Sequence, residues 1–288
     1  MISIDPQSTP IPQLHQYLVG AVAPRPIAFV STVSESGTPN LAPYSFFNVF
    51  SSNPATLIFS SNRTVQGNKT KDTLTNVETT REAVVNIVNY DITHQMTIAS
   101  VSYPEDVNEF EKAGLTAIAS DLVKPFRVKE SPFQMECKVK DIISLGDQGG
   151  AGNLVICEIV KIHISEDILD EKGRIDPYKA HLMGRMGRAF YCHAIPESIF
   201  PIVREVSEIV IGIDGLPERI RNSEILTGRQ LAELACVTAI PGRDEKMIAS
   251  LGISPTIEGE EREKTLHRIA QMYIDSGEVD KAWQVLLV

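Results

Sequence analysis

Apolar residues recur at helical spacing through IPQLHQYLV, residues 11–19, until Pro24 and Pro26 break the pattern and IAFVSTV begins a strand. The turn SESGTPN reverses the chain into NLAPYSFFNVF, residues 40–50, which reads as a buried aromatic strand interrupted by Pro43, Ser45 and Asn48. ATLIFSSN predicts a further strand, KDTLTNVETTRE a short helix, and AVVNIVNY a strand rich in β-branched residues. Two polar helical pieces follow at about 92–100 and 105–113, and then two long strands, FQMECKVKDIISL and NLVICEIVKIHI. Glycines in the intervening GDQGGAG lie between alternating strands, which marks a hairpin; a dinucleotide fingerprint needs its glycines between a strand and a helix.

From about residue 200 the periodicity becomes helical. SEILTGRQLAELACVTAI offers Thr227 as an N-cap, and EREKTLHRIAQMYIDSGEVDKAWQVLL offers Gly277 as a turn between two helices. This final pair resembles one tetratricopeptide-type unit, and a lone unit cannot bury its face, so packing on the β domain or on a second subunit is expected. The pattern as a whole predicts a mainly β chain with α (α+β) and a helical carboxyl extension.

Composition narrows the function. With 288 residues and 43% hydrophobic content the chain is long enough for a full core. Its formal net charge of −10 disfavours a general nucleic-acid or anionic-membrane surface, so an anionic ligand needs a local site. Cys137, Cys157, Cys192 and Cys236 show neither zinc spacing nor a disulfide ladder, and read as buried thiols in a reducing cytoplasm. No leader pattern opens the sequence and no run approaches the roughly 20 apolar residues that span a bilayer, so the expectation is a cytoplasmic protein without a membrane anchor.

Candidate chemistry concentrates between residues 24 and 73. SSNRTVQGNKTKDT follows a strand and leads into a helix, bringing Ser60, Ser61 and Thr73 hydroxyls and Arg63 and Lys71 charges to a helix amino end, the ingredients of a phosphate site. A solvated basic turn capped by Asp72 describes the same letters; a P-loop does not, because its first glycine and Gly-Lys-Thr junction are missing. Ser45, set between aromatic residues, is suited to hydrogen-bond the edge of a flat apolar ligand, while an edge strand with a bulge accounts equally for Pro43. No Gly-x-Ser-x-Gly elbow occurs, and His15, His94, His163, His181, His193 and His267 are scattered without triad or metal spacing. The expectation is therefore no catalytic side chain and no metal.

In order and close spacing, APRPIAFVST, NLAPYSFFN, NPATLIFSS, KDTLTN and VVNIV, continuing through EFEKAGL and ESPFQMECKV to LVICEIVKIHI, make the chain similar to the flavin reductase-like proteins. That resemblance implies an FMN-binding split β-barrel over residues 10–195 followed by the helical extension at 200–288. It implies a flavin-ring wall from Arg25 to Thr32, including Ser31, and from Asn40 to Asn48, including Ser45, Phe46, Phe47 and Asn48. Ser60, Ser61, Arg63, Lys71, Asp72 and Thr73 would form the ribityl-phosphate end. Where similar proteins carry Arg-Leu-Gly-Gly before a tyrosine, this chain reads GRMGRAFYCH, so Arg185 is a candidate cofactor contact and Arg188 replaces a small residue. His193 is a candidate nicotinamide or flavin contact, or simply a stacked boundary histidine. The implied activity is hydride transfer from NAD(P)H to flavin or a small acceptor, in a homodimer with FMN near its interface. The alternative is a flavoredoxin-like electron carrier with a redox protein partner. In either case the flavin carries the chemistry.

Overall fold

Seven strands make one antiparallel sheet in the order β2-β1-β5-β8-β9-β4-β3. They are β1 (Ala28–Val33), β2 (Pro39–Tyr44), β3 (Phe47–Ser52), β4 (Ala55–Ser60), β5 (Glu82–Ile87), β8 (Phe133–Ser144) and β9 (Asn153–Ile164); the short pairs β6 (Ala117–Ile118) with β7 (Arg127–Val128) and β10 (Met183–Gly187) with β11 (Phe190–His193) stand apart from it. This computed structural model describes residues 1–202, 209–253 and 259–288. They divide into two compact units, Met1–Phe200 and Pro201–Val288.

The sheet cannot lie flat. Strands β2 and β3 occupy its two edges, yet only Ser45 and Phe46 separate them in the chain. Three Cα steps reach about 11 Å at most, whereas six strand spacings across a flat sheet would cover about 29 Å. The sheet therefore rolls until its edges meet at Ser45–Phe46, where the Ser60 N–H donates to the Phe46 carbonyl at 2.8 Å. The single interrupted strand expected at 40–50 is thus two strands and a corner. Pro43 sits in register opposite Phe29 on edge strand β2, where its missing N–H costs no ladder bond, and a bulge interrupts β3 between Val49 and Ser51.

Strand alternation divides the core between two faces. Ala28 and Val30 turn into the rolled sheet with Leu57, Phe59, Val85, Cys137 and Val155. Ile27 and Phe29 turn outward beneath α3 (Thr93–Ala99) and α4 (Glu109–Ala113), against Met96 and Phe110. Of the helical piece expected at 105–113 only this last part is α-helix, because Asn108 is the cap: its side chain accepts the Phe110 N–H at 3.1 Å. Helices α1 (Ile11–Ala21) and α2 (Asp72–Thr80) complete this unit. GDQGGAG joins β8 to β9 as a hairpin, and its Gly149 leaves no room for a Cβ, which would lie 2.7 Å from the Val65 carbonyl oxygen.

The second unit contains α5 (Glu218–Arg221), α6 (Gly228–Leu234), α7 (Glu245–Ser250), α8 (Gly259–Asp275) and α9 (Val279–Leu286). Thr227 caps α6 in a reciprocal box with Gln230, and Gly277 turns the chain at φ +78°. The last two helices bury their apolar faces on Ile220, Leu231 and Leu234, around a fully buried Trp283 whose indole N–H donates to the Leu234 carbonyl at 3.2 Å. Cys137 and Cys157 are buried, but Cys192 is half-buried and Cys236 exposed, so the expectation of four buried thiols holds only inside the sheet. No helix among the described residues is long and apolar enough to cross a membrane.

Candidate functional site

The corner where the sheet edges meet opens into a cavity of about 390 Å³. Pro43, Tyr44, Ser45 and Phe46 form one wall, Ser60 ends β4 and Asn62 follows it, Lys71 caps the start of α2, and Arg25 precedes β1. The β10–β11 hairpin adds Arg185, Gly187 and Arg188, and α1 adds His15, Gln16 and Val19. Four cationic side chains therefore line it, with no carboxylate among the lining residues.

Arg25 is buried, and its Nε and Nη1 donors are engaged. Its Nη1 donates to the Val19 and Val22 carbonyls at the end of α1, and its Nε reaches Ser45 Oγ at 3.4 Å. Burial first, and then the charge of Arg185, lower its pKa. The two arginines are also joined through their backbones, each N–H donating to the other's carbonyl at 3.0 and 2.8 Å. Gly187 allows the same helix to approach, since a Cβ there would sit 2.9 Å from the Val19 oxygen. His15 meets the Phe46 ring edge-on, with centroids 6.0 Å apart.

Lys71 retains exposed surface, yet enough protein surrounds its ammonium that desolvation lowers its pKa. It lies 5.2 Å from the Tyr44 ring centroid and has no carboxylate within ion-pair distance among the described residues. Burial pushes the Tyr44 phenol up to about 12, opposed in part by the Thr73 and Ser61 hydroxyls, which approach without reaching hydrogen-bond geometry. The buried Tyr44 hydroxyl and Ser61 Oγ have no hydrogen-bond partner among the described residues. Lys71 is the N-cap residue of α2 with no side-chain cap, so the first N–H groups of that helix, at Asp72 and Thr73, lack intrahelical acceptors.

Of the candidate residues read from the sequence, Arg25, Ser45, Phe46, Ser60, Lys71 and Arg185 line this one cavity. Ser61 and Thr73 lie buried behind it, and Asp72 follows Lys71 in the first turn of α2. Thr32 and Thr73 are tied into a polar cluster in which Asn40 Nδ2 donates to both hydroxyls at 2.9 Å and Asn76 Nδ2 donates to Thr32 at 3.0 Å. Ser31 is buried with no hydroxyl partner among the described residues, Phe47 packs on the sheet core, and the exposed Asn48 accepts the Val49 N–H. Arg63 braces its own loop through Asn68 at 2.6 and 2.7 Å. His193 stacks on Tyr90 at 4.5 Å and approaches His181, and it does not line the cavity. His15, Gln16, Val19 and Asn62 escaped the sequence reading; the amphipathic spacing of α1 gave its helix but not the surface on which it lands.

A second cluster has metal-ligand residue types: Asp121, Glu136 and His163 place ligand atoms within 4.8 Å of one another. These atoms are already engaged. Glu136 accepts the Asp121 and Leu122 N–H groups at 2.8 and 2.6 Å and lies 2.7 Å from His163 Nε2, while Asp121 pairs with Lys161. Burial alone would raise the Glu136 carboxyl, but these partners hold it below its ordinary value.

Residues 20–182, more than half of the chain, match the sequence model of the family described as "Flavin reductase like domain". The chain belongs to the flavin reductase-like family. An uncharacterized protein of Aquifex aeolicus is 40% identical over 185 residues, covering 64% of this chain and 91% of its own. Among solved structures, nitrilotriacetate monooxygenase component B from Bacillus cereus is 31% identical with a TM-score of 0.64, covering 70% of this chain and 98% of its own. The 2-nitrobenzoate 2-nitroreductase NbaA of Pseudomonas fluorescens is 27% identical with a TM-score of 0.63, covering 71% and 98%. The rolled sheet is accordingly the split barrel of this family, and the family match ends before the helical unit begins.

Proposed function

We propose that the cavity holds FMN and that the protein is an oxidoreductase taking hydride from NAD(P)H. The observation that carries this reading is charge: Arg25, Lys71, Arg185 and Arg188 line one cavity without a carboxylate, in a chain whose net charge is −10. A cluster of like charges left unneutralised beside buried, unpartnered hydroxyls is stabilised by an anion. The residues fit FMN. Lys71, Ser60 and the open amino end of α2 are suited to its phosphate, combining a cation, a hydroxyl and the positive end of a helix dipole. Val19, Pro43 and Phe46 offer an apolar wall to the ring, with Ser45 at its edge.

When bound, FMN supplies the two-electron chemistry. The chain's own contribution is to place and enclose it. Arg185 and Arg188 add positive potential over the site, which favours electron-rich states of a bound ligand. No lining residue forms a nucleophile–base pair, so the side chains act by position and field. Among the described residues strand β3 pairs only with β4, and it exposes Val49 and Phe50, which supports a homodimer because an open apolar edge invites a second copy. An acidic chain without a spanning helix among its described residues is compatible with work in the cytoplasm.

The test is a titration of the purified full chain with FMN, followed by anaerobic NAD(P)H. Wild type binds and its flavin bands bleach rapidly. Lys71→Ala weakens binding about 10- to 100-fold, the worth of a charged hydrogen bond of about 1.5 to 3 kcal/mol. Arg63→Ala changes it little, since that guanidinium is held by Asn68. Absence of FMN binding by wild type sinks the reading. Binding without bleaching leaves FMN in place but removes the nicotinamide donor, as an electron carrier served by a protein partner would behave.

A further inference from the structure

We infer that the cleft between α1 and the β10–β11 hairpin is a second ligand compartment, for a planar aromatic molecule carrying one negative charge. The inference rests on the cofactor reading above, because this cleft of about 470 Å³ adjoins the cationic cavity: Gln16, Gly187 and Arg188 line both. An occupant of the cleft therefore lies directly beside whatever fills the cavity.

Its walls are apolar and aromatic. Tyr17 comes from α1, Met186 and Phe190 from the hairpin, and each keeps substantial exposure, Phe190 the most at 61%. Gly187 sets the spacing between the two walls, since any Cβ there would collide with the Val19 carbonyl. Arg188 is the one charged residue of the lining. No carboxylate lies within ion-pair distance of it among the described residues, and its guanidinium carbon lies 5.6 Å from the Phe190 ring centroid. Its backbone stands at φ +50°, in the left-handed region where a Cβ is unfavourable, and its carbonyl accepts from Arg185 Nη2. A strained residue that presents an unpaired guanidinium over an aromatic wall has the marks of a ligand contact. One cation calls for one negative charge, the exposed rings call for a flat apolar body, and the volume suits a one- or two-ring molecule.

The experiment titrates the full-length protein with benzoate, in saturating inorganic phosphate so that the cationic cavity is blocked, and with neutral benzamide as the isosteric control. Wild type binds benzoate about tenfold or more tightly than benzamide. Arg188→Gly removes the guanidinium while relaxing the φ +50° strain, so it folds at least as well, and it loses that preference; Arg188→Lys retains part of it. Four results overturn the inference: no benzoate binding by wild type, equal binding of benzamide, unchanged binding in Arg188→Gly, or displacement of benzoate by phosphate, which would place it in the cationic cavity. Binding that appears only when the protein is diluted to a monomer also overturns it, because a second copy would then own the cleft. If FMN fails to bind but benzoate selectivity through Arg188 persists, the cofactor reading falls and the compartment stands.

Discussion

The helical unit and the cavity at the barrel's seam treat their charges in opposite ways, although elsewhere on the barrel cations meet acids too, as Lys138 meets Glu82 and Lys161 meets Asp121. In the helical unit cations meet acids: Arg229 pairs with Glu233 and Asp275, Lys281 with Glu278, Lys264 with Glu224, and Arg243 with Glu245. At the barrel's seam, Arg25, Lys71, Arg185 and Arg188 face a cavity with no acid in its lining, and the nearby Tyr44 and Ser61 hydroxyls are buried without partners among the described residues. Satisfied groups stabilise a fold, whereas groups left open around a cavity keep their interaction free energy for something that enters it. The contrast supports the proposal of ligand chemistry at the barrel's seam; in the helical unit the buried Glu263 Oε1 and His267 Nε2, without a partner among the described residues, are the exceptions to it.

The sharpest way to break that contrast is to disturb one unit and watch the other. Trp283 is the chain's single tryptophan and lies at the centre of the helical core. Trp283→Ala is expected to destabilise that unit by about 3 to 5 kcal/mol, seen as an early loss of helical circular dichroism in urea. FMN affinity should stay at the wild-type value; a parallel loss of flavin binding would show that the units do not divide the labour this way. Within the barrel, Glu136→Gln is expected to cost about 2 to 3 kcal/mol, because a buried carboxylate accepting two N–H groups and facing His163 is replaced by an amide with one acceptor. The folded-state pKa of Glu136 is depressed, so its contribution is complete above the ordinary carboxylate pKa of about 4.3 and is lost as pH falls below that value. Wild-type stability should therefore decline below about pH 4.3 more steeply than that of Glu136→Gln. Identical acid limbs in urea melts taken across that range would remove Glu136 as the cause.

What could be read from the sequence follows the range of the interactions involved. The capping box at Thr227 and the Gly277 turn are local, and both are where the periodicity puts them. So is the β8–β9 hairpin, whose alternation and glycines lie within about thirty residues of each other. The rolling of the sheet is not local: β2 and β3 are neighbours in sequence and opposite edges of the sheet, a relation fixed by the pairings of β1 with β5, β5 with β8 and β4 with β9, which come from farther along the chain. For that reason 40–50 read as one strand with awkward residues, although Ser45 and Phe46 mark a corner. Phosphate-like composition drew Arg63 into the candidate site, but composition cannot show that Asn68 already holds its guanidinium. His15 and Gln16 show the reverse limit, since nothing within α1 indicates that its carboxyl end is gripped by Arg25 from the next segment.

That grip makes the mildest and most specific test. Helix α1 buries only Val19, while Ile11, Leu18 and Val22 remain exposed, so packing contributes little to holding it. Arg25 supplies fixed polar contacts instead, donating to two carbonyls in the last turn, which are the groups a helix end leaves unsatisfied. A lysine keeps the charge but loses the planar fork, so Arg25→Lys can serve the two carbonyls less well. Losing one hydrogen bond of about 1 kcal/mol corresponds to roughly fivefold faster opening. Amide exchange across residues 11–21 should therefore quicken about fivefold in ligand-free Arg25→Lys, with protection in β5 and β8 unchanged. If α1 exchanges at the wild-type rate, the helix is held by its close approach to Gly187 alone. If β5 and β8 quicken as well, Arg25 supports the barrel rather than the wall of its cavity. The expected pattern would make the enclosure of the cavity depend on a residue whose polar contacts are spent on the chain itself, which separates Arg25 from Lys71 among the four cations.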